Sequence, residues 1–399
     1  MTNPIKQPES YSPKTKPEIL SMMDAARRVA GYPDAFTLPD RSTKIPPEIK
    51  HYGPAYMNYS NEFSNFLDYS GQGYGFLYDG DWCKDRNYTI AEVLSGHATQ
   101  PMILPLTPDE ERLPWKTAGF PYCHTFYADP GKPGYMSEPD MKEALKYALC
   151  ALGQPVIIPY DDFFCGSIVT GYRDGGDVLV TYRFVPYFMD MENNARPKIE
   201  EITGWYKINT SLFIAGKRER ALTLGDIYRE GTVCIRDALE ANIRGDKRHC
   251  YDDWEAFLRL DFDGMLAFAK RARSIPGGEQ VPFDGNDVWK FICGACNNTW
   301  CIMAECRYYV MHFFRQAKEY FPEANTELQA LDDHYWHTSE IMGNRESGYA
   351  GEIGDPINAG LFAKQDVRAR MADRVRQFRE ADAKGLELAE ALCGRLGIE

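Results

Sequence analysis

Four cysteines fall close together at Cys293, Cys296, Cys301 and Cys306. Thiolates that open with a C-x2-C spacing can share one zinc ion or an iron–sulfur cluster. The run NTWCIMAECRYYVMHFF around the last two has helical character. On a helix, Cys301 and Cys306 lie about 140° apart. No second C-x2-C and no His pair completes a ligand set. Buried structural thiols and no metal are expected, with a metal site as the alternative.

The histidines are His51, His97, His124, His249, His312, His334 and His337. His334 and His337, three apart, would share a helix face and could ligate together. No H-E-x-x-H accompanies them, so a polar helix surface is the plainer reading. Cys123 and His124 place a thiol beside an imidazole, but sequence neighbours point apart and do not make a catalytic dyad. The run Gly71 to Phe76, GQGYGF, has the glycines of a phosphate loop. It lacks the preceding strand, the lysine and the following helix that such a loop needs. Its glycines serve instead to let the backbone pass close to another element or a ligand.

These residues must be positioned by a chain of 399 residues, long enough for two domains at roughly 100–200 residues each. Residues 1–17 read as a flexible tail. Pro17 then opens a helix, EILSMMDAARRVAG, that Gly31 stops. Residues 53–82 are dense in Gly, Tyr, Phe, Asn and Asp, which reads as a loop or pocket wall rather than a plain helix. Residues 139–152 show apolar spacing at Met141, Leu145, Ala148, Leu149 and Leu152, which predicts an amphipathic helix closed by Gly153. Strands are expected at QPVIIPY, SIVTGY and VLVTY, the last two joined by the turn RDGGD, with a further pair around EEITGWYKIN and LFIAG. After Thr223 the period becomes helical throughout. The final helix carries Val367, Met371, Val375, Phe378, Leu386, Ala389 and Leu392 on one stripe.

The charge balance, 45 basic against 58 acidic residues, gives a net charge of −13 that repels phosphate backbones, so no nucleic-acid partner is expected. No run approaches the roughly 20 apolar residues of a membrane span. The opening residues lack the apolar core of a signal peptide, so a cytoplasmic address and no membrane partner are expected. In that compartment the 11 cysteines are expected as free thiols. No cofactor is expected.

Two passages carry a more specific resemblance. Residues 144–182, ALKYALCALGQPVIIPYDDFFCGSIVTGYRDGGDVLVTY, look like the second half of a papain-like cysteine peptidase domain of the bacteriocin-processing type. Residues 61–83, NEFSNFLDYSGQGYGFLYDGDWC, are similar to a segment of the butirosin biosynthesis protein H-like family, whose N-terminal half has that fold. The stretches CRYYVMHFFRQAKEYFP and LDDHYW and the closing Arg- and Glu-rich helix look like the family's helical half. The resemblance implies an α+β chain, with a papain-like α/β domain over residues 18–222 followed by an all-helical domain over 223–399. It also implies thiol chemistry on an acyl group, which in butirosin biosynthesis passes from a carrier protein to an aminoglycoside amine.

This chain departs from the peptidase pattern at each triad position. Cys165 stands where the pattern has its histidine. Thr181 is the nearest polar residue where an orienting Asp or Asn belongs, and Ser21 is the only hydroxyl in the first helix. An imidazole-activated thiolate of that type is therefore not expected.

The remaining candidates for catalysis are Cys165, Cys83 and Asp162, with Tyr74, Tyr78, Asp81, Asp161 and Tyr172 as substrate-binding residues. They would line a cleft between Ser70–Cys83 and Tyr160–Tyr172. The expected function is an acyltransferase or amide- or ester-bond enzyme acting on a small amine-bearing, cationic metabolite, with an acyl carrier protein as a further partner. The alternative is a non-catalytic small-molecule-binding or scaffolding protein that has lost the ancestral triad. Self-association stays open.

Overall fold

The computed structural model describes residues 24, 25, 28, 31–41, 58–74, 85–101, 108–158 except 133, 167–183, 198–208, 211–267 except 262 and 266, 303–342 and 359–398 except 363. The expected tail over 1–17 lies outside them, as does most of the helix expected after Pro17. The chain divides into two compact units, residues 1–91 with 111–222 and residues 92–110 with 223–399. The segment 92–110, counted with the first domain in the sequence, thus belongs to the second unit.

The first unit is built on an antiparallel sheet. Its strands are β1 (Phe36–Thr37), β2 (Cys123–Tyr127), β3 (Val156–Ile158), β4 (Ser167–Arg173), β5 (Val178–Arg183), β6 (Lys198–Thr203) and β7 (Ser211–Ala215). Their order is β2-β7-β3-β4-β5-β6, and β1 pairs with β4. The β-branched residues of VII, SIVTGYR and VLVTYR favour this pleated, buried setting. The hairpin between β4 and β5 closes Arg173 on Val178. Its turn needs a left-handed backbone at Asp174 (φ 51°), Gly175 (φ 63°) and Gly176 (φ 101°), which the RDGGD sequence supplies.

The helices α1 (Asn58–Tyr69) and α4 (Glu138–Lys146) accompany the strands, while α2 (Arg86–Leu94) and α3 (Pro108–Thr117) lie across the unit's two boundaries. The expectation of a loop over 53–82 is corrected at α1. Phe63, Phe66 and Leu67 recur at helical spacing and are fully buried, and Trp115 meets both phenylalanine rings edge-on at 4.9 Å. Tertiary burial of that stripe outweighs a composition rich in turn-formers. The helix expected at 139–152 forms as α4 and a wider π turn over Tyr147–Ala151. Ser137 caps its start by accepting from the Asp140 N–H, and Met141, Leu145, Ala148 and Leu149 are buried.

The second unit is helical, with no strand among its described residues. It contains α5 (Leu224–Ile243), α6 (His249–Leu258), α7 over 303–317, α8 (Asn325–Met342) and α9 (Gln365–Leu396). Thr223 caps α5 by accepting from the Asp226 N–H. The stripe read from the sequence of α9 is buried along its length, and Val367, Met371, Val375 and Phe378 form part of the unit's core. A mixed helical and antiparallel-sheet architecture, α+β, is thereby established.

Candidate functional site

The site is organised by the short segment from Phe36 to Arg41. β1 pairs Phe36 with Tyr172 and Thr37 with Gly171. Leu38 N donates to Thr170 O at 2.8 Å, and Arg41 N donates to Tyr69 O at 2.9 Å. Tyr69 Oη donates to Leu38 O at 3.1 Å. These bonds tie one stretch of chain to β4 on one side and to the end of α1 on the other. Gly71 follows α1 at φ 66°, and its backbone passes close under Arg41, where a Cβ would stand 3.0 Å from Arg41 Cβ.

A half-open cavity of about 170 Å³ lies there. Phe36, Leu38, Leu149 and Pro155 give it apolar walls, and the polar residues Arg41, Ser70 and Cys150 also line it. It is smaller than the roughly 300–1,000 Å³ of a drug-sized pocket, so it suits a small ligand or one arm of a larger one.

Hydrogen bonding settles which groups face it with free capacity. Cys150 Sγ lies 3.4 Å from Tyr172 Oη, and Tyr172 Oη donates to Pro33 O at 2.9 Å. The tyrosine proton is thus committed, and the Cys150 S–H donates to the tyrosine oxygen. Burial pushes the Cys150 thiol up, with Tyr172 and Lys146 opposing the shift. Burial, reinforced by Glu143, pushes Tyr32 up to about 12, and burial likewise pushes Tyr172 up. These groups are neutral at physiological pH. Ser70 Oγ donates to Phe66 O. Arg41 makes no ion pair among the described residues and is exposed.

Of the residues expected to form the site, two are described. Tyr172 is fully buried and touches the cavity wall through Cys150. Tyr74 packs against the core of the unit, its N–H donating to Asn87 Oδ1 at 2.6 Å. Its hydroxyl is buried without a hydrogen-bond partner among the described residues, and burial pushes it up to about 12. Cys165, Cys83, Asp162, Tyr78, Asp81 and Asp161 lie outside the described residues, as does Ser21. Thr181 is buried on β5 and donates to Glu200 O at 3.2 Å. Cys150 was missed in the sequence because it looks like one more apolar position in the helix ALKYALCAL; no signal short of tertiary contact marks it.

Cys123 and His124 sit on β2, opposite Ala215 and Ile214, and strand alternation sends them to opposite faces. Both are buried. Burial holds the Cys123 thiol up, and burial aided by Arg112 holds His124 down to about 4. Among the described residues neither ring nitrogen of His124 has a hydrogen-bond partner. They form no dyad.

His334 Nε2 stands 2.9 Å from Ala381 O, and since a carbonyl can only accept, that nitrogen carries the proton. His337 is exposed and faces Glu340, so the two histidines do not converge on a ligand. No group of three or more His, Cys, Asp or Glu side chains among the described residues could hold a metal. Cys306 is buried, and Cys293, Cys296 and Cys301 lie outside the described residues.

The second unit holds a fully buried ion pair that spacing and composition do not mark. Arg307 Nε and Nη2 reach Asp382 Oδ1 and Oδ2 at 2.9 and 2.5 Å. Its remaining donors hold the carbonyls of Ala98 (2.8 Å), Thr99 (3.1 Å) and Gln100 (3.1 Å), and Tyr251 donates to Asp382. Every guanidinium donor is used, which makes the cluster a clamp on the 98–100 turn rather than a place for a ligand.

Among the described residues no helix is long and apolar enough to cross a membrane. Comparison of the chain with protein-family models, with curated proteins and with solved structures finds no match.

Proposed function

We propose that the chain is a small-molecule-binding protein whose first unit has a papain-like fold of the butirosin biosynthesis protein H-like kind without its thiol chemistry. The observation that carries this reading is the state of Cys150. It lines the cavity, burial pushes its thiol up, and its neighbour is the Tyr172 hydroxyl. A nucleophilic thiol needs the opposite, a depressed pKa and an imidazole or other base against it. The other described thiols, Cys123, Cys234, Cys250, Cys306 and Cys393, are likewise pushed up by burial. The succession of α4, β3 and the β4–β5 hairpin in an antiparallel sheet supports the papain-like reading, which the sequence resemblance first suggested.

Acyl transfer by Cys83 or Cys165, with Asp162 nearby and an acyl carrier protein as donor, rests on the resemblance alone. One experiment separates the two readings. A thermal-shift screen of small metabolites identifies ligands of the native state, because binding raises Tm. Each hit is then incubated with the protein, and both are followed by mass spectrometry. Stabilisation with the ligand recovered unchanged is the expected result. Turnover, or an acyl adduct on Cys83 or Cys165, contradicts it.

A further inference from the structure

We infer that the cavity beside Cys150 takes a small carboxylate with an apolar body, the carboxylate lying on Arg41 at the mouth. The inference rests on the ligand-binding reading and adds the chemical class of the ligand.

The donor inventory decides the head group. The Tyr69 proton is spent on Leu38 O, the Ser70 proton on Phe66 O and the Cys150 proton on Tyr172 Oη. Among the described residues that line the cavity, Arg41 is therefore the one whose side chain has donors to offer. A guanidinium presents a planar fork that matches one carboxylate in two parallel hydrogen bonds. A phosphate would bring a second charge and further oxygens for which these side chains hold no free donor.

An amine suits the site less. It would place a cation beside the Arg41 guanidinium, with no carboxylate among the described lining residues to offset it. Asp40, next in sequence, does not line the cavity. The net charge of −13 draws cations from a distance, but salt damps such fields over roughly 8 Å, whereas the guanidinium acts at contact. The local charge therefore overrules the global one. The walls of Phe36, Leu38, Leu149 and Pro155 bury the remainder of the ligand, and the cavity's size limits that remainder to a short chain or a single ring.

The test uses the full chain with hexanoate and benzoate as probes, against hexylamine and hexanamide. Binding is measured by calorimetry, and the site is located by the rate at which Cys150 is alkylated at pH 9. The carboxylates are expected to bind and to slow Cys150 labelling, while the amine and amide bind more weakly. Arg41→Gln, at an exposed position and checked for unchanged Tm, should weaken carboxylate binding by about tenfold or more. Arg41→Lys, which keeps the charge and loses the fork, should fall between. Stronger protection of Cys150 by hexylamine, or undiminished carboxylate binding in Arg41→Gln, overturns the assignment of class. If no probe changes the Cys150 rate, the cavity assignment fails. Ligand binding elsewhere on the chain would still emerge from the metabolite screen, so the two failures are distinguishable.

Discussion

The thiol of Cys150 lies 3.4 Å from the hydroxyl of Tyr172, whose own proton is committed to the carbonyl of Pro33. A helix end, a central strand and the segment before β1 are thus joined by two side chains at the edge of one cavity. The arrangement orders the wall and leaves the thiol protonated.

Tyr172→Phe removes both hydrogen bonds and keeps the ring. It should cost about 1–2 kcal/mol in urea denaturation, the scale of a buried hydrogen bond with its acceptor left unpaired. When the thiol ionises, the hydroxyl can turn from Pro33 O to donate to the thiolate, which opposes the upward shift, so its loss should slow Cys150 alkylation at pH 9. A variant whose Cys150 reacts faster would show that the hydroxyl does not favour the thiolate.

Gly171 lets β1 lie against β4. A Cβ there would stand 2.5 Å from Phe36 O and 3.0 Å from Thr37 Cα, both backbone atoms that cannot rotate away. Gly171→Ala should therefore destabilise by about 1–3 kcal/mol, as overpacking does. It should also loosen the cavity, raising the Cys150 alkylation rate. Unchanged stability and labelling would mean that β1 does not depend on this close approach.

His124 sets a pH dependence. Its folded pKa is lowered from 6.5 to about 4 by burial, so below pH 6.5 the unfolded chain takes a proton that the folded chain refuses. Stability from this group is present above pH 6.5 and is lost as pH falls toward 4, by roughly 3 kcal/mol in all. His334 is lowered too and acts in the same direction, so the readout is the difference between parent and variant. His124→Phe should flatten the stability profile between pH 6.5 and 4 in denaturant titrations. Identical slopes would remove His124 from the account.

Arg307 and Asp382 are both fully buried, so removing one strands the other. Asp382→Ala should cost about 3–5 kcal/mol. The pair Arg307→Met with Asp382→Leu should cost much less than the sum of the single changes. A double-mutant cycle in urea gives the coupling directly, and additive effects would show that the pair acts as two independent residues.

Much of the fold was legible because it follows from period. The 139–152 helix, the β4–β5 hairpin and the α9 stripe are written in apolar spacing and turn residues, and they form as that spacing implies. α1 was obscured because Asn58, Ser60 and Asn61 are turn-formers, while Phe63, Phe66 and Leu67 declare themselves only when Trp115 covers them. The site was harder to read. Tyr172 was singled out, but its role depends on Cys150 and Pro33, 22 and 139 residues away in sequence. Arg41 gives no sign in the sequence that its neighbours' donors are all spent. Such facts arise from tertiary hydrogen bonding, which spacing does not encode.

A chain that binds a small molecule without an activated thiol should have no cysteine whose reactivity the fold enhances. Site-resolved alkylation by iodoacetamide at pH 7.5, read by mass spectrometry over all 11 cysteines, tests it most directly. No cysteine in the native protein should react faster than the same cysteine in the denatured chain. Native labelling of Cys83 or Cys165 well above its denatured rate would contradict it and restore the acyl-transfer reading.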